Sequence, residues 1–508
     1  MGVEPDFHHP MSEVDVAIVG AGISGIGMAA HMGMACPDRS YAILERREAV
    51  GGTWDLFRYP GVRSDSDMHT LGFDFEPWTD DKAIADGGSI LAYLNRIVDE
   101  RGIRPHIRFG SRVISADWDS AAARWRLLIE RDDGHIWRLS ARFLYLGSGY
   151  YDYDRPHDAD FPGRGEFAGT IVHPQFWPDA LDYSGKRVVV IGSGATAVTL
   201  VPAMAERAAH VTMLQRTPTW YIARPARDRL ANALRKVLPA RIAYALTRYK
   251  NVRLQNLLYK RSRAEPAKVA RFLTSQTRHA LGDKYDATAF TPPYNPWEQR
   301  LCLVPDGDFF AAIRAGRAEV VTDRIARFDA AGIVLESGRH LAADVIVTAT
   351  GLRVAVAGKI AVSMDGVPVD FTRHYYYRAC MFSNIPNLAV VFGYLNASWT
   401  LRADLNAGYV CRLLNRMKAT GADVATPVLP DGETLGDDNV YDFSSGYLQR
   451  AMHLMPRSAP TLPWRLNQDY LEDRAFFKSA PIDDGIMRLA TAQQNLARGS
   501  ELGNGPAR

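Results

Sequence analysis

The sequence has few cysteines, and none is placed to form a metal site or a redox pair. Cys36, Cys302, Cys380 and Cys411 are scattered over 508 residues, with no CxxC pair and no accompanying histidine spacing. Structural zinc sites and dithiol redox centres both require such spacing. The sequence therefore predicts no metal centre, and it favours a reduced, cytoplasmic setting.

Long apolar runs and a strong net charge are also missing. No run of about 18 apolar residues occurs, and no basic, apolar leader opens the chain, so neither a membrane span nor export is expected. The net charge is only +3, which makes nucleic acid an unexpected partner. A chain of 508 residues is long for one core, so two domains with accessory helices are predicted.

A glycine-rich turn lies near the N-terminus, between a predicted strand and a predicted helix. Residues 14–19 are a short apolar run rich in β-formers, and GAGISG follows at 20–25. Here Gly20 allows a tight turn, Gly22 lets backbone amides approach a pyrophosphate, and Gly25 allows close packing of helix and strand. This context predicts an α/β dinucleotide-binding unit.

A second glycine motif repeats the pattern but differs in the residue that follows its second strand. After the first motif, Glu45 ends the next predicted strand, where a carboxylate can accept hydrogen bonds from ribose hydroxyls. In the second unit, GSGATA at 192–197 lies between predicted strands 187–191 and 210–215, and Arg216 follows. A guanidinium binds a 2′-phosphate and an acid repels it, so NADPH is favoured over NADH. The alternative is that Arg216 is a solvated surface charge.

The segment between the two units carries a further motif. Residues 167–178 follow the pattern FxGxxxHxxxWP, with His173 at its centre. Together with the two glycine motifs, this string resembles the fingerprint of the Baeyer-Villiger monooxygenases, flavoenzymes that insert an oxygen atom using FAD, NADPH and O2. Stretches such as 51–73, 294–308 and 393–405 resemble the ethionamide-activating branch of that family, and the resemblance extends to about residue 457.

The resemblance implies two Rossmann-like dinucleotide-binding domains, one for FAD and one for NADP. Predicted strands at 143–146 and 344–348 end in glycine turns and would carry the chain between the domains, and residues 387–394 would return a strand to the FAD sheet. The predicted organisation is an FAD domain, first part (1–152), an NADP domain (153–355) with a basic helical insert (about 224–290), an FAD domain, second part (356–490), and a disordered tail (491–508).

The same resemblance implies the cofactor contacts. Residues that would contact FAD are Gly20, Gly22, Ser24, Gly25, Glu45, Gly52, Thr53, Trp54, Asp55, Leu56, Asp65 and Val113. Residues that would contact NADP are Arg63, Ser64, Gly192, Ser193, Gly194, Ala195, Thr196, Ala197, Val198, Arg216 and Thr217.

Arg300 is the residue that the resemblance assigns to the oxygen chemistry. A C4a-peroxyflavin survives best beside a fixed cation in a water-poor site, and Arg300 stands where this family has its active-site arginine. Asp65 would orient Arg300. The alternative is that Asp65 and Asp67 are turn or helix-capping residues. His173 invites a catalytic role, but in the family it belongs to an interdomain linker, so packing or hinge function is expected.

The implied function is Baeyer-Villiger oxidation of a ketone to an ester or lactone. S-oxygenation of sulfides or thioamides is the nearest alternative, because a protonated peroxide is electrophilic. A flavin disulfide reductase shares the two nucleotide domains but requires the CxxC pair that is missing here. A non-enzymatic flavin redox sensor is a third hypothesis, disfavoured because a sensor needs neither Arg300 nor an NADP site. The expected partners are a small apolar ketone, sulfide or thioamide, and O2.

The segment from Arg224 to Arg271 is strongly basic. It contains 14 Lys plus Arg against Asp228 and Glu265, a net charge of +12, so the rest of the chain carries about −9. Apolar residues recur at helical intervals, which predicts one or two amphipathic helices. One interpretation is a solvated cap over the NADP domain. The other is peripheral contact with anionic lipid, which would bring apolar substrates to a cytoplasmic enzyme.

Overall fold

Two β-sheets, one mixed and one fully parallel, organise the molecule, and helices pack against both. The computed structural model describes residues 12–430, 432–438 and 444–496. Each sheet begins with a strand, a glycine turn and a helix, as the two motifs predict. No helix in these ranges is long and apolar enough to span a membrane.

The larger sheet contains the first glycine motif. Its central strands β1, β2 and β6 are parallel where they pair, and β4, β5 and β6 form an antiparallel meander. The order is β18-β17-β4-β5-β6-β1-β2-β3, and β21 pairs with the end of β6. The strands are β1 (Ser12–Val19), β2 (Tyr41–Leu44), β3 (Ile107–Arg108), β4 (Ser111–Asp119), β5 (Arg124–Arg131), β6 (Ile136–Leu146), β17 (Ala361–Met364), β18 (Val367–Pro368) and β21 (Leu388–Val390).

The smaller sheet contains the second glycine motif and is parallel throughout, in the order β12-β9-β8-β16-β7. Helices cover one face and a small antiparallel ribbon covers the other, so its strands are continuously apolar, as in the RVVVI of β8. The FxGxxxHxxxWP segment supplies β7 at one edge. The strands are β7 (Thr170–Val172), β8 (Arg187–Ile191), β9 (His210–Gln215), β12 (Ala318–Thr322) and β16 (Val345–Thr348).

The remaining strands form small ribbons around these sheets. They are β10 (Tyr221–Arg224) with β11 (Cys302–Pro305), β13 (Ile325–Asp329) with β14 (Gly332–Leu335) and β15 (His340–Ala342), β19 (Tyr376–Tyr377) with β20 (Met381–Phe382), and β22 (Val424–Pro427) with β23 (Met487–Ala490). The β10–β11 pair matters for the site, because it leads the chain into and out of the segment that carries Arg300.

The helices pack on the sheet faces or form the insert. Against the larger sheet, α1 and α11 pack together over one extensive apolar core. The helices are α1 (Ile23–Ala35), α2 (Thr53–Leu56), α3 (Met68–Leu71), α4 (Gly87–Glu100), α5 (Ala195–Met204), α6 (Arg229–Val237), α7 (Ala240–Ala264), α8 (Pro266–Leu281), α9 (Ala287–Phe290), α10 (Asp308–Arg314), α11 (Trp399–Thr420), α12 (Gly446–Ala451) and α13 (Tyr470–Ser479).

The basic segment contains more helices than the sequence predicted. The expectation was one or two, whereas α6, α7 and α8 follow one another there. Pro239 and Pro266 mark the two breaks, because each opens the next helix, where its missing N–H is tolerated. The apolar residues also fail to share one buried face, since Val252 is buried while Ile242 and Leu246 are exposed.

The division into domains remains a prediction, although the two sheets follow it. The strand predicted at 387–394 forms as the shorter β21 and does join the larger sheet. In the tail predicted to be disordered, residues 491–496 form a helical turn, with a hydrogen bond from the N–H of Asn495 to the carbonyl of Thr491. The rest of that tail, 497–508, lies outside the described residues.

Candidate active site

The first glycine turn is built so tightly that side chains have no room. Gly20 has φ +97°, and a Cβ on Gly25 would lie 1.8 Å from the carbonyl oxygen of Gly20. The amide ends of α1 therefore sit directly above the end of β1. This is the arrangement that a pyrophosphate at a helix N-terminus requires. Ser24, also predicted here, accepts a hydrogen bond at its Oγ from Trp399 Nε1 at 2.8 Å.

Glu45 lies at the end of β2 beside this turn. Its Oε2 accepts from the N–H of Ala21 at 2.6 Å and its Oε1 from the N–H of Arg47 at 2.8 Å. The residue is 3% exposed, and burial raises the pKa of its carboxyl. Glu45 thus ties the glycine turn to the strand end, and its position suits the predicted ribose contact.

The GGTWD loop at 51–55 faces the glycine turn, but not all of its side chains point towards that turn. Gly52 has φ +56°, and its Cα approaches Gly22 so closely that a Cβ would lie 3.0 Å from the Gly22 Cα. Thr53 Oγ1 lies 3.1 Å from the hydroxyl of Tyr153. Asp55 instead turns to Arg47, accepting from its Nε at 2.7 Å. Asp55 therefore fastens the loop.

The second glycine turn repeats the first. Gly192 has φ +134°, and a Cβ there would lie 2.4 Å from the carbonyl oxygen of Ala349. Ser193 Oγ donates to the carbonyl of Thr217 at 3.0 Å, which joins the turn to the end of β9. Arg216 lies at that junction, exposed and without a salt bridge to any residue that the structure describes. Its position and free charge fit a phosphate-binding role.

Arg300 and Asp65 form an ion pair between the two turns. Arg300 Nη1 lies 2.8 Å from Asp65 Oδ2, and the side chains are 40% and 42% exposed. The Asp65 carboxylate raises the pKa of Arg300 above its ordinary value, so this guanidinium stays charged. The capping alternative applies only to Asp67, whose Oδ1 accepts from the N–H of Thr70 at the start of α3.

Arg63 and Ser64, predicted to approach the nicotinamide, already have protein partners. Arg63 forms a salt bridge with Asp308, the first residue of α10. Ser64 is buried, and its Oγ accepts from the N–H of Ala85 at 3.2 Å. Both still line the cavity described next, so their predicted contact with NADP remains open as a prediction.

One cavity of about 410 Å³ connects these features. It reaches from the first glycine turn past the Arg300–Asp65 pair to the start of α5. The predicted residues that line it are Gly20, Gly22, Ser24, Glu45, Gly52, Thr53, Trp54, Arg63, Ser64, Asp65, Val113, Ala195, Thr196 and Arg300. The predicted residues outside its lining are Gly25, Asp55, Leu56, Gly192, Ser193, Gly194, Ala197, Val198, Arg216 and Thr217.

The predicted residues outside the cavity lining lie in helices, in the second glycine turn or directly after β9. Gly25 and Ala197 are buried in helix packing, and Leu56 ends α2. Gly192, Ser193 and Gly194 form the second turn itself, and a Cβ on Gly194 would meet open space. The donor set therefore fits two dinucleotides, because each glycine turn offers helix amides and each following strand ends in a fitting polar residue.

A tyrosine cluster beside Arg300 is the main feature that the sequence reading missed. Tyr150, Tyr151 and Tyr447 line the cavity, and the hydroxyls of Tyr150 and Tyr151 are hydrogen-bonded to each other. Burial raises the pKa of all three phenols, so they are neutral hydrogen-bond donors. A signal existed for the first two, because they follow β6 at the carboxyl end of a parallel strand, where ligands bind.

Part of the cavity wall is aromatic. The ring of Tyr150 stacks on Trp399 with centroids 5.0 Å apart and an angle of 12° between the planes. Trp399 begins α11 and lines the cavity together with Leu395. This aromatic surface lines the same cavity as the charged pair, an arrangement typical of sites that orient an apolar substrate by a few polar groups.

His173 is not part of this cavity. Its Nδ1 accepts from the N–H of Gln175 at 3.1 Å, which caps a short turn after β7. Burial lowers its pKa and keeps the ring neutral. The side-chain amide of Gln175 in turn donates to the carbonyl of Asp152 at 2.9 Å. This bond holds the segment against the chain that connects the two sheets. This geometry supports the expected packing role.

One cavity runs from the first glycine turn, past the fixed cation Arg300, to the start of α5 directly after the second turn. This arrangement is typical of an oxidoreductase that uses two nucleotide cofactors. The match to a family model is consistent with this. Residues 13–356 match the model described as "FMO-like: Flavin-binding monooxygenase-like". The chain belongs to this family of flavin-binding monooxygenases, and the predicted cofactors FAD and NADPH are confirmed.

Similar proteins extend over the whole chain. The chain is 50% identical to the FAD-containing monooxygenase EthA of Mycobacterium tuberculosis, over 94% of this chain and 98% of that protein. It is 47% identical to the probable FAD-binding monooxygenase AlmA of Acinetobacter baylyi, over 96% of this chain and 98% of the relative.

Solved structures of the same fold include flavoprotein monooxygenases. A steroid monooxygenase bound to NADP superposes with a TM-score of 0.73 at 23% identity, covering 94% of this chain and all of that one. An open cyclohexanone monooxygenase gives 0.74 at 20% identity, with 95% of this chain and all of that one covered. These likenesses confirm the predicted α/β fold with two Rossmann-like domains.

Proposed function

We propose that the protein is an NADPH-dependent Baeyer-Villiger monooxygenase, which inserts one oxygen atom of O2 next to a ketone carbonyl. Ketone, O2, NADPH and one proton are consumed, and ester or lactone, NADP⁺ and water are released. The observation that carries the proposal is the Arg300–Asp65 ion pair, with 2.8 Å between Nη1 and Oδ2, in a cavity that runs from the first glycine turn to the start of α5. When bound and reduced, FAD supplies the electrons that activate O2.

Arg300 would stabilise the negative charge that develops during oxygen transfer. A guanidinium held in place by a carboxylate needs no reorganisation at that moment, which is the main source of such stabilisation. Asp65 fixes the direction of the guanidinium. The neutral phenols of Tyr150, Tyr151 and Tyr447 offer further donors without adding charge.

The substrate proposed is a small apolar ketone, with sulfides and thioamides as the alternative. Trp54, Leu395 and Trp399 line the cavity, and such walls favour apolar compounds over charged ones. The cavity of about 410 Å³ lies within the range of small-molecule sites.

Product identification tests this function. The FAD-loaded protein would be supplied with NADPH, ¹⁸O2 and a panel of ketones and sulfides, and the products analysed by mass. We expect esters or lactones that carry one ¹⁸O atom. Sulfoxides without any ester would favour the S-oxygenation alternative. NADPH consumption that yields only hydrogen peroxide, with every compound tried, would contradict both.

A further inference from the structure

The helices of the basic segment present an unusual amount of apolar side chain to solvent. Of the exposed large apolar residues that the structure describes, more than half lie between residues 229 and 281. They are Leu230, Val237, Ile242, Leu246, Tyr249, Leu254, Leu257 and Phe272, each about half exposed or more. Contiguous exposed apolar surface of this kind marks an interaction site.

Four exposed apolar residues of α7 lie on one side of the helix. Ile242, Leu246, Tyr249, Arg253 and Leu257 follow at intervals of four, three, four and four, which places them in one row. All five are exposed. Arg253 lies over the ring of Tyr249, with its guanidinium carbon 4.5 Å from the ring centre. The row therefore combines apolar side chains with a basic one.

The opposite side of α7 holds the helix to the larger sheet's loops. Arg248 is buried and donates to the carbonyls of His69 at 3.0 Å and Gly72 at 2.7 Å. Tyr244 donates to the carbonyl of Phe73 at 2.9 Å, and Asn251 donates to Asp67 at 2.9 Å. The opposite side of α7 is thus occupied by contacts with the larger sheet's loops, and the exposed row faces solvent.

Basic side chains surround this row. The segment from Arg224 to Arg271 carries 14 Lys plus Arg against two acids. Several of these side chains are exposed and form no salt bridge within the described part of the chain: Lys236, Arg241, Arg253, Arg261 and Arg271. We call the exposed residues of α6–α8, apolar and basic together, the basic apolar face.

We propose that the basic apolar face docks on a membrane surface that contains anionic lipid. Half-exposed Leu, Ile and Tyr lose contact with water on entering the headgroup region, while Lys and Arg stay with the lipid phosphates. The protein would then be cytoplasmic and peripheral at the membrane. This docking is independent of the reaction proposed for the cavity.

Two other occupants suit the face less well. The phosphates of a nucleic acid would pair with the basic residues, but its polar backbone would not cover a row of exposed aliphatic side chains. A second copy of the chain, in a two-fold symmetric contact, would bring this +12 segment against itself. An anionic bilayer matches both the charge and the apolar row.

Vesicle flotation of the FAD-loaded protein tests the proposal. We expect flotation with vesicles of phosphatidylcholine and phosphatidylglycerol at low salt, and loss of binding at high salt or without phosphatidylglycerol. A Lys236→Glu/Arg241→Glu variant should bind at least about tenfold more weakly, because each basic group near an anionic surface contributes about fivefold. An Ile242→Gln/Leu246→Gln variant should also detach, while glutamine preserves the helix.

The matched control is Val367→Gln/Arg373→Glu, which changes an exposed apolar and an exposed basic residue on another part of the surface. This control should float like the parent, and all variants should keep their flavin and their NADPH oxidation rate. Recovery of the parent in the soluble fraction at both salt concentrations overturns the proposal. The proposal is also overturned if the parent is a dimer and the Ile242→Gln/Leu246→Gln substitutions make it a monomer without changing its flotation.

Discussion

Arg300 shows how one side chain acquires a role from its neighbours. Its charge is ordinary for a chain with 60 Lys plus Arg. What distinguishes it is the Asp65 carboxylate at 2.8 Å and the ring of phenols around it. These contacts hold the guanidinium in one direction inside a cavity, whereas a surface arginine samples many.

Replacement of Arg300 by alanine should separate the two halves of the proposed reaction. We expect NADPH to reduce the flavin at a near-normal rate, because Arg300 is not needed for the second glycine turn. Formation of oxygenated product should fall by about 10² to 10³, the usual cost of losing a preorganised charge. Stopped-flow absorbance measures the first rate, and product analysis the second.

Arg207→Ala is the control for that experiment, since Arg207 is an exposed arginine that pairs with Asp182 at 3.5 Å, away from the cavity. It should leave both rates unchanged. Unaltered product formation in Arg300→Ala would remove this residue from the mechanism.

Arg216 is the residue predicted to set the preference for NADPH over NADH. In an Arg216→Ala variant, KM for NADPH should rise by about 10- to 100-fold, because a charge-assisted hydrogen bond contributes about 1.5–3 kcal/mol. KM for NADH should barely change, since NADH has no 2′-phosphate. Steady-state kinetics with both cofactors provide the measurement, and an equal rise in both KM values would reject a phosphate-binding role.

At the scale of elements, the β1–α1 turn shows that two glycines of one helix differ completely. A Cβ on Gly25 would lie 1.8 Å from the carbonyl oxygen of Gly20, whereas a Cβ on Gly33 meets nothing within 4 Å. The first glycine is required by close approach of helix and strand. The second is free of that requirement.

Alanine at these positions should therefore act in opposite directions. Gly25→Ala should displace α1 from β1 and yield protein without FAD, or no folded protein. Gly33→Ala, the matched control in the same helix, should retain FAD and gain up to about 1 kcal/mol from helix propensity. Flavin content by absorbance and thermal unfolding distinguish the two, and normal flavin content in Gly25→Ala would contradict the packing argument.

The helices of the basic insert were predictable, but the direction in which they face was not. Helical spacing of apolar residues predicted amphipathic helices, and helices formed. Their orientation was not predictable, because α7 buries the polar Arg248 against loop carbonyls and turns Ile242 and Leu246 outwards. Periodicity reports which residues share a face, but the neighbouring surface decides which face is buried.

For the whole molecule, buried and half-buried histidines contribute to the response to acid. Burial lowers the pKa of His69, His157, His173 and His374, so the folded protein favours their neutral forms. Above the unfolded pKa of about 6.5, both states are neutral and these residues do not affect stability. Below it, the unfolded chain binds more protons, so the free energy of unfolding falls as the pH falls.

Denaturant unfolding at pH about 7.5 and about 5.5 measures this loss, whose slope cannot exceed about 1.4 kcal/mol per pH unit for any one histidine. His69→Gln should make the pH dependence shallower, because the side chain no longer titrates. His453→Gln, at an exposed histidine, is the control and should leave the dependence unchanged. An identical slope in the parent and His69→Gln would show that His69 does not contribute.

The local parts of this protein were predictable from its sequence. Positive φ at Gly20 and Gly192 and the close approach of Gly25 to Gly20 require glycine at these positions. The strands before and after those turns formed where the apolar runs indicated. The position of Arg216 beside the second turn follows from the same local geometry, through the bond from Ser193 to Thr217.

Long-range partners were decided only by the tertiary structure. The pairing of Arg300 with Asp65 was expected from family resemblance and not from spacing, and Tyr447 gave no signal at all. These side chains meet because the two nucleotide units pack so that one cavity extends from the first glycine turn to the start of α5. The sequence by itself determined the two nucleotide turns, while the packing of distant segments decided which charged and aromatic groups surround the space between them.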